Sequence, residues 1–134
     1  MNDAVFADTS GLLALLNAKD EHHARAERAF ASLQVRQARL VSTSFVLVET
    51  YALVGRRLGL EAVRSFRTDV APLIDIVWVD EVLHNAGLDL LVDRRKRLLS
   101  LVDAVSFITM RLRNVDQAFA FDPHFEQEGF SLIA

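Results

Sequence analysis

The chain has 134 residues, 51% of them hydrophobic, a formal net charge of −3 and no cysteine. That is enough apolar material for one self-supporting core, and it excludes a disulfide framework, a thiolate metal site and a cysteine nucleophile. The acidic balance argues against a surface coated for non-specific nucleic-acid binding, and no apolar run approaches the ~20 residues of a membrane span.

Met1-Asn2-Asp3 lacks the basic start of a signal peptide, so the expected compartment is the cytoplasm. Ala4-Val5-Phe6-Ala7 reads as a buried strand running into a helix N-cap at Asp8-Thr9-Ser10-Gly11. Leu12, Leu13, Leu15 and Leu16 predict a short helix, closed by Asn17-Ala18-Lys19-Asp20. From Glu21 to Gln34, Ala24, Ala26, Ala29, Phe30 and Leu33 recur at helical spacing, which predicts an amphipathic helix with His22 and His23 solvated. Arg39-Leu40-Val41 predicts a second strand, and Ser42-Thr43-Ser44 offers three caps for a buried helix over Phe45–Val54 that ends in Gly55-Arg-Arg-Leu-Gly59.

Glu61 to Val70 predicts a further helix, and Ile74–Asp80 the clearest strand, with Trp78 in the core or at an interface. Glu81 to Asp93 predicts a helix, Arg94-Arg95-Lys96-Arg97 a connection, and Ser100 the start of a helix reaching about Arg113. Ala118–Phe121 is the last buried strand, ending at Asp122-Pro123, and Gly129–Ile133 a short terminal edge strand. Short apolar strands alternating with helices indicate one α/β domain over residues 1–134, built on a parallel sheet covered on both faces.

Four acids stand out in this pattern. Asp103 opens a helix that is apolar nearly all round, where an ionised group is costly without compensation. Ser100-x-x-Asp103 has the spacing of a capping box, a bland role that does not exclude a functional one. Asp8 and Asp122 follow the first and last long strands, and in open α/β sheets ligands bind at those carboxyl ends. Glu49 interrupts an apolar helix. Asp8 and Asp122 have ordinary alternatives as turn residues and Asp103 as a cap, Glu49 is the hardest to dismiss, and four together predict a cluster.

Carboxylates that converge cannot all stay ionised without a cation. Oxygen donors without cysteine or a ligand-spaced histidine pair point to Mg²⁺ or Mn²⁺, and so to metal-assisted phosphodiester hydrolysis. Thr9 and Ser10 offer hydroxyls at a helix start beside Asp8, suited to a phosphate or a water on the metal. Ser106 lies one turn from Asp103, either lining the site or bonded to backbone. The clusters Arg56-Arg57 and Arg94–Arg97, with Arg111 and Arg113, are either phosphate contacts or solvated helix faces.

Asp8-Thr9-Ser10 after a strand, Glu49 in a helix, Ser100-Leu101-Val102-Asp103-Ala104 and Phe121-Asp122-x-His124-Phe125 before Gly129-Phe130 resemble the PIN-domain ribonucleases, and among them the VapC toxins of toxin–antitoxin pairs. The resemblance spans essentially the whole chain. It implies a three-layer α/β/α domain and a Mg²⁺- or Mn²⁺-dependent endoribonuclease whose acidic site is Asp8, Glu49, Asp103 and Asp122. It also implies a homodimer silenced by a VapB-like antitoxin, with operator DNA bound only through the antitoxin. Two positions depart from the family pattern. His124 stands where many relatives have a further acid, and Lys96-Arg97 makes the rim more basic, with Arg97 toward RNA. The competing readings are a receiver-like signalling domain, which would want adjacent acids after the first strand, and a PIN scaffold kept only for binding, which would have lost core acids.

Overall fold

The run Ala4–Ala7 forms β1, and all four of its residues are buried, as a strand covered on both faces requires. In the structure, a computed structural model that describes residues 3–133, four more strands join it: β2 (Arg39–Thr43), β3 (Ile74–Val77), β4 (Gln117–Phe119) and β5 (Ser131–Leu132). All pairings are parallel, in the order β3-β2-β1-β4-β5. The chain builds outward from β1 through β2 to β3, then resumes on the other side at β4. The strand order therefore reverses between β1 and β4, and at such a switch point a parallel sheet opens a crevice at its carboxyl edge.

The helices are α1 (Thr9–Leu16), α2 (His23–Val35), α3 (Ser44–Leu58), α4 (Leu60–Ser65), α5 (Glu81–Arg94), α6 (Leu101–Leu112) and α7 (His124–Gln127). Together with the sheet they make the expected three-layer α/β/α domain. No helix among the described residues is long and apolar enough to cross a membrane.

The element ends differ from the sequence reading for local reasons. The strand expected over Ile74–Asp80 stops at Val77, where its partner Thr43 ends β2. Beyond it the Val79 amide donates to Ser44 Oγ at 2.9 Å and Asp80 caps α5 by accepting from Leu83 N at 2.8 Å. Trp78 is consequently 72% exposed and no part of the core. The helix expected over Glu61–Val70 is α-helical only to Ser65, then widens into a π turn over Phe66–Val70 that buries both of its ends, ahead of Pro72, which has no N–H to continue the ladder. Gly55 is helical, and Gly59 (φ +95°) is the residue that ends α3.

α7 was not foreseen. Four residues are too few to hold a helix by propensity; what holds it is Phe125. That ring is fully buried between Phe6, Phe107 and Phe130, with centroids 6.2, 5.1 and 6.5 Å away, worth about 1.5–3 kcal/mol of transfer free energy. The Glu128 carboxylate secures the end of the same turn. It accepts from Arg94 at 3.0 and 3.1 Å and from Arg111 at 3.0 Å, and these cations hold it below the usual carboxylate range. Two members of the basic clusters are thus structural partners of one acid, and Arg94 also pairs with Asp93 at 3.2 Å.

Candidate active site

Asp8 leaves β1 and caps α1, so its place is fixed by the sheet itself. Its Oδ2 accepts from the Ser10 amide at 3.1 Å and from Ser10 Oγ at 2.7 Å. Ser10 Oγ in turn accepts from the Phe121 amide at 2.9 Å. One hydroxyl therefore ties the end of β1 to the residue preceding Asp122, across the β1/β4 crevice. This engages the hydroxyl that the sequence suggested for phosphate binding, and its role in the structure is to position Asp8. The approach of α1 to β4 is very close: a Cβ on Gly11 would lie 2.3 Å from the Phe119 carbonyl oxygen.

Asp103 reaches the same crevice from α6, and both halves of its capping box form. The Asp103 amide donates to Ser100 Oγ and the Ser100 amide donates to Asp103 Oδ2, each at 3.1 Å. Asp122 follows β4, and its Oδ1 accepts from the His124 amide at 2.9 Å. α7 then carries the His124 ring back toward both acids. Nδ1 lies 2.9 Å from Asp122 Oδ1 and 4.0 Å from Asp103 Oδ2, yet it is enclosed and forms no hydrogen bond. An enclosed ring nitrogen beside two carboxylates, without a well-aligned proton between them, is the arrangement that a cation completes. One ligand atom from each of Asp103, Asp122 and His124 lies within 4.8 Å of the others.

Asp8, Glu49, Asp103 and Asp122 all line one cavity of about 320 Å³, whose apolar walls are Leu13, Leu53 and Leu98. Glu49 is half-buried on α3. Neither it nor Asp8 belongs to the tight three-residue group, so the four acids share a cavity but not one ligand-distance cluster. Burial pushes the Asp8 carboxyl up to about 7; the Ser10 hydrogen bonds oppose this, and the charges of Asp103 and Asp122 add to it. Burial also raises Asp103, against the hydrogen bonds from Ser100. Crowded, buried carboxylates driven toward their neutral forms are groups whose ionised state a cation would stabilise. Oxygen donors with one imidazole suit Mg²⁺ or Mn²⁺.

Of the remaining sequence candidates, Thr9 alone lines the cavity, but its hydroxyl lies 3.1 Å from Thr50 Oγ1 and 3.5 Å from the Val46 carbonyl, joining α1 to α3. Ser106 is fully buried and donates to Val102 O at 2.8 Å inside α6, away from the cavity lining. Arg97 is exposed beside Leu98 and does not line the cavity. His22 and His23 are half-buried and partly engaged: His22 stacks on Phe121 at 4.4 Å, and His23 Nδ1 lies 2.8 Å from Ala14 O. The residue that the acid pattern missed is His124. Asp122-Pro123 two positions ahead of it, with Gly129 closing the turn, was the available signal for a helix start that turns a ring back on the acid.

The PIN domain family profile matches residues 5–130. The 23S rRNA-specific endonuclease VapC20 of Mycobacterium tuberculosis is 35% identical over 127 residues, covering 94% of this chain and 95% of its own. The crystal structure of Mycobacterium tuberculosis VapC20, a Sarcin-Ricin loop cleaving toxin, superposes with a TM-score of 0.82 at 32% identity over 94% and 95% of the two chains. FitAcB from Neisseria gonorrhoeae superposes with a TM-score of 0.70 over 97% and 96%; at 14% identity this is a likeness of fold.

Proposed function

The chain belongs to the PIN domain family, and from that premise we propose that it is a divalent-metal-dependent endoribonuclease acting as the toxin of a toxin–antitoxin pair. The observation that carries the reading is the convergence of Asp8, Asp103 and Asp122 on the β1/β4 crevice, with the enclosed Nδ1 of His124 facing two of them. The family match sets the receiver-like reading aside. A scaffold kept only for binding would have lost core acids, and all four are present.

Asp103 and Asp122 would hold a Mg²⁺ or Mn²⁺ ion with His124, while Asp8 and Glu49 complete its surroundings from α1 and α3. A bound divalent ion supplies the charge that polarises a phosphodiester and makes a water acidic enough to attack it. The protein contributes geometry. Ser10 fixes the Asp8 carboxylate, the capping box fixes Asp103, and Phe125 anchors the helix that aims His124. Leu13, Leu53 and Leu98 line the cavity beside the acids.

The substrate to test first is the sarcin–ricin loop of 23S rRNA, the target that the relative's structure names. The same reading places the protein in the cytoplasm, as a homodimer neutralised by a VapB-like antitoxin that alone contacts operator DNA. A labelled sarcin–ricin hairpin is expected to be cut with Mg²⁺ or Mn²⁺, to stay intact with EDTA, and to be cut again when the ion is restored in excess. Cleavage that proceeds equally in EDTA would overturn the metal-dependent mechanism.

A further inference from the structure

Next to the acidic crevice lies a cavity that the reaction as described does not use. It measures about 300 Å³ and is lined by His22, Arg25, Ala120, Phe121, Glu126 and Leu132. Its aromatic wall is already organised. The His22 ring stacks on Phe121 with 4.4 Å between centroids and 4° between planes, and the Arg25 guanidinium lies 5.4 Å from the same ring centroid. Phe121 is the chain neighbour of Asp122, so the two cavities adjoin along the chain. Arg25 also lines a second groove of about 500 Å³, which runs along α2 past Arg28 and Arg36 to Ile133.

Three cations of the conspicuous basic clusters already have acid partners, while Arg56, Arg57, Arg95 and Arg97 are exposed like those of this path. Arg94 and Arg111 share Glu128, and Arg39 and Arg113 face Asp75. Arg36 is held by Asp3 at 2.7 Å. Arg25 and Arg28 are exposed and form no ion pair among the described residues. Their three-residue spacing puts them on one face of α2, about 4.5 Å apart along its axis, within reach of successive phosphates. Glu126, which also lines the smaller cavity, disfavours a phosphate there, while its carboxylate can accept from the N–H groups on a base edge.

We propose that the RNA strand leaves the acidic crevice over Phe121 and follows α2, with a base seated between the His22–Phe121 wall and Glu126 and consecutive phosphates on Arg25 and Arg28. Aromatic and guanidinium faces accept unstacked bases of any sequence, and guanidinium forks match phosphate oxygens. The path rests on the ribonuclease reading and extends it from the metal to the substrate.

The test is anisotropy of a labelled sarcin–ricin hairpin in EDTA, over a series of salt concentrations, for wild type, Arg28→Ala, Arg25→Ala/Arg28→Ala and Arg95→Ala/Arg97→Ala. The Arg25/Arg28 double variant is expected to bind at least about tenfold more weakly at low salt. Its log K against log salt plot should flatten by about 1.4, two phosphates at ~0.7 each. Arg28→Ala alone should flatten it by about half as much, which guards against misfolding at Arg25. The Arg95/Arg97 variant should keep the wild-type slope. Wild-type affinity and slope in the Arg25/Arg28 variant, from a protein that cleaves RNA, would overturn the path, as would a loss confined to antitoxin binding. Absence of cleavage by wild type would instead strike the ribonuclease reading itself.

Discussion

Asp8→Asn is expected to abolish RNA cleavage while making the metal-free protein more stable at alkaline pH. The folded chain prefers Asp8 protonated, since burial raises its carboxyl from 3.8 to about 7. With the folded value above the unfolded one, the contribution of Asp8 to stability is complete below about pH 4 and is lost as pH rises through 7. At pH 8 that loss approaches ~4 kcal/mol at 1.36 kcal/mol per unit. An asparagine carries no charge to desolvate, and its oxygen can still accept from Ser10. Thermal melts in EDTA should therefore show the variant about 2–4 kcal/mol more stable than wild type at pH 8, with the difference shrinking to about 1 kcal/mol at pH 4.5. Cleavage should fall at least about 100-fold, beyond the 10–100-fold typical of a partner behind a metal ligand. A variant that is less stable at pH 8, or that still cleaves, would show that Asp8 has another role.

Gly11→Ala tests the scaffold that holds Asp8. On helix propensity alone the change should stabilise by about 1 kcal/mol. The structure predicts the opposite sign. A Cβ there would sit 2.3 Å from the Phe119 carbonyl oxygen and 2.8 Å from its carbon, and neither is the mobile end of a side chain. Overpacking of this kind costs about 1–3 kcal/mol, occasionally more, and the backbone obstacle places this site at the upper end. Relief requires α1 to lift from β4, which would stretch the Asp8–Ser10–Phe121 hydrogen bonds across the crevice. The urea midpoint should drop, and cleavage should fall further than the unfolded fraction explains. An unchanged or higher midpoint would contradict the close approach.

Much of this was legible in the residues because it is local. Apolar runs such as Ala4–Ala7 announce strands buried on both faces, and Ser100-x-x-Asp103 announces a capping box that does form. Acids placed after strands or at helix starts converge because a parallel sheet sends those ends to one rim. What escaped the sequence depends on long-range partners. Arg94 and Arg111 look like phosphate contacts until Glu128 is brought against them. Ser10 reads as a free hydroxyl until Phe121, 111 residues on, donates to it. His124 seemed a departure from an acidic pattern, because the four-residue helix that turns it inward is held by the burial of Phe125 and not by its own propensity. His22 reads as a solvated position, and only the fold sets it against Phe121.

The central claim is that the crevice between β1 and β4 holds a divalent ion. It is tested most directly by the anomalous difference map of a crystal soaked in Mn²⁺. The account predicts a peak about 2.0–2.3 Å from a carboxylate oxygen of Asp103, one of Asp122 and Nδ1 of His124, on the side of the cavity facing Asp8. A map with no peak in that cavity, or with its manganese bound away from these acids, would contradict it.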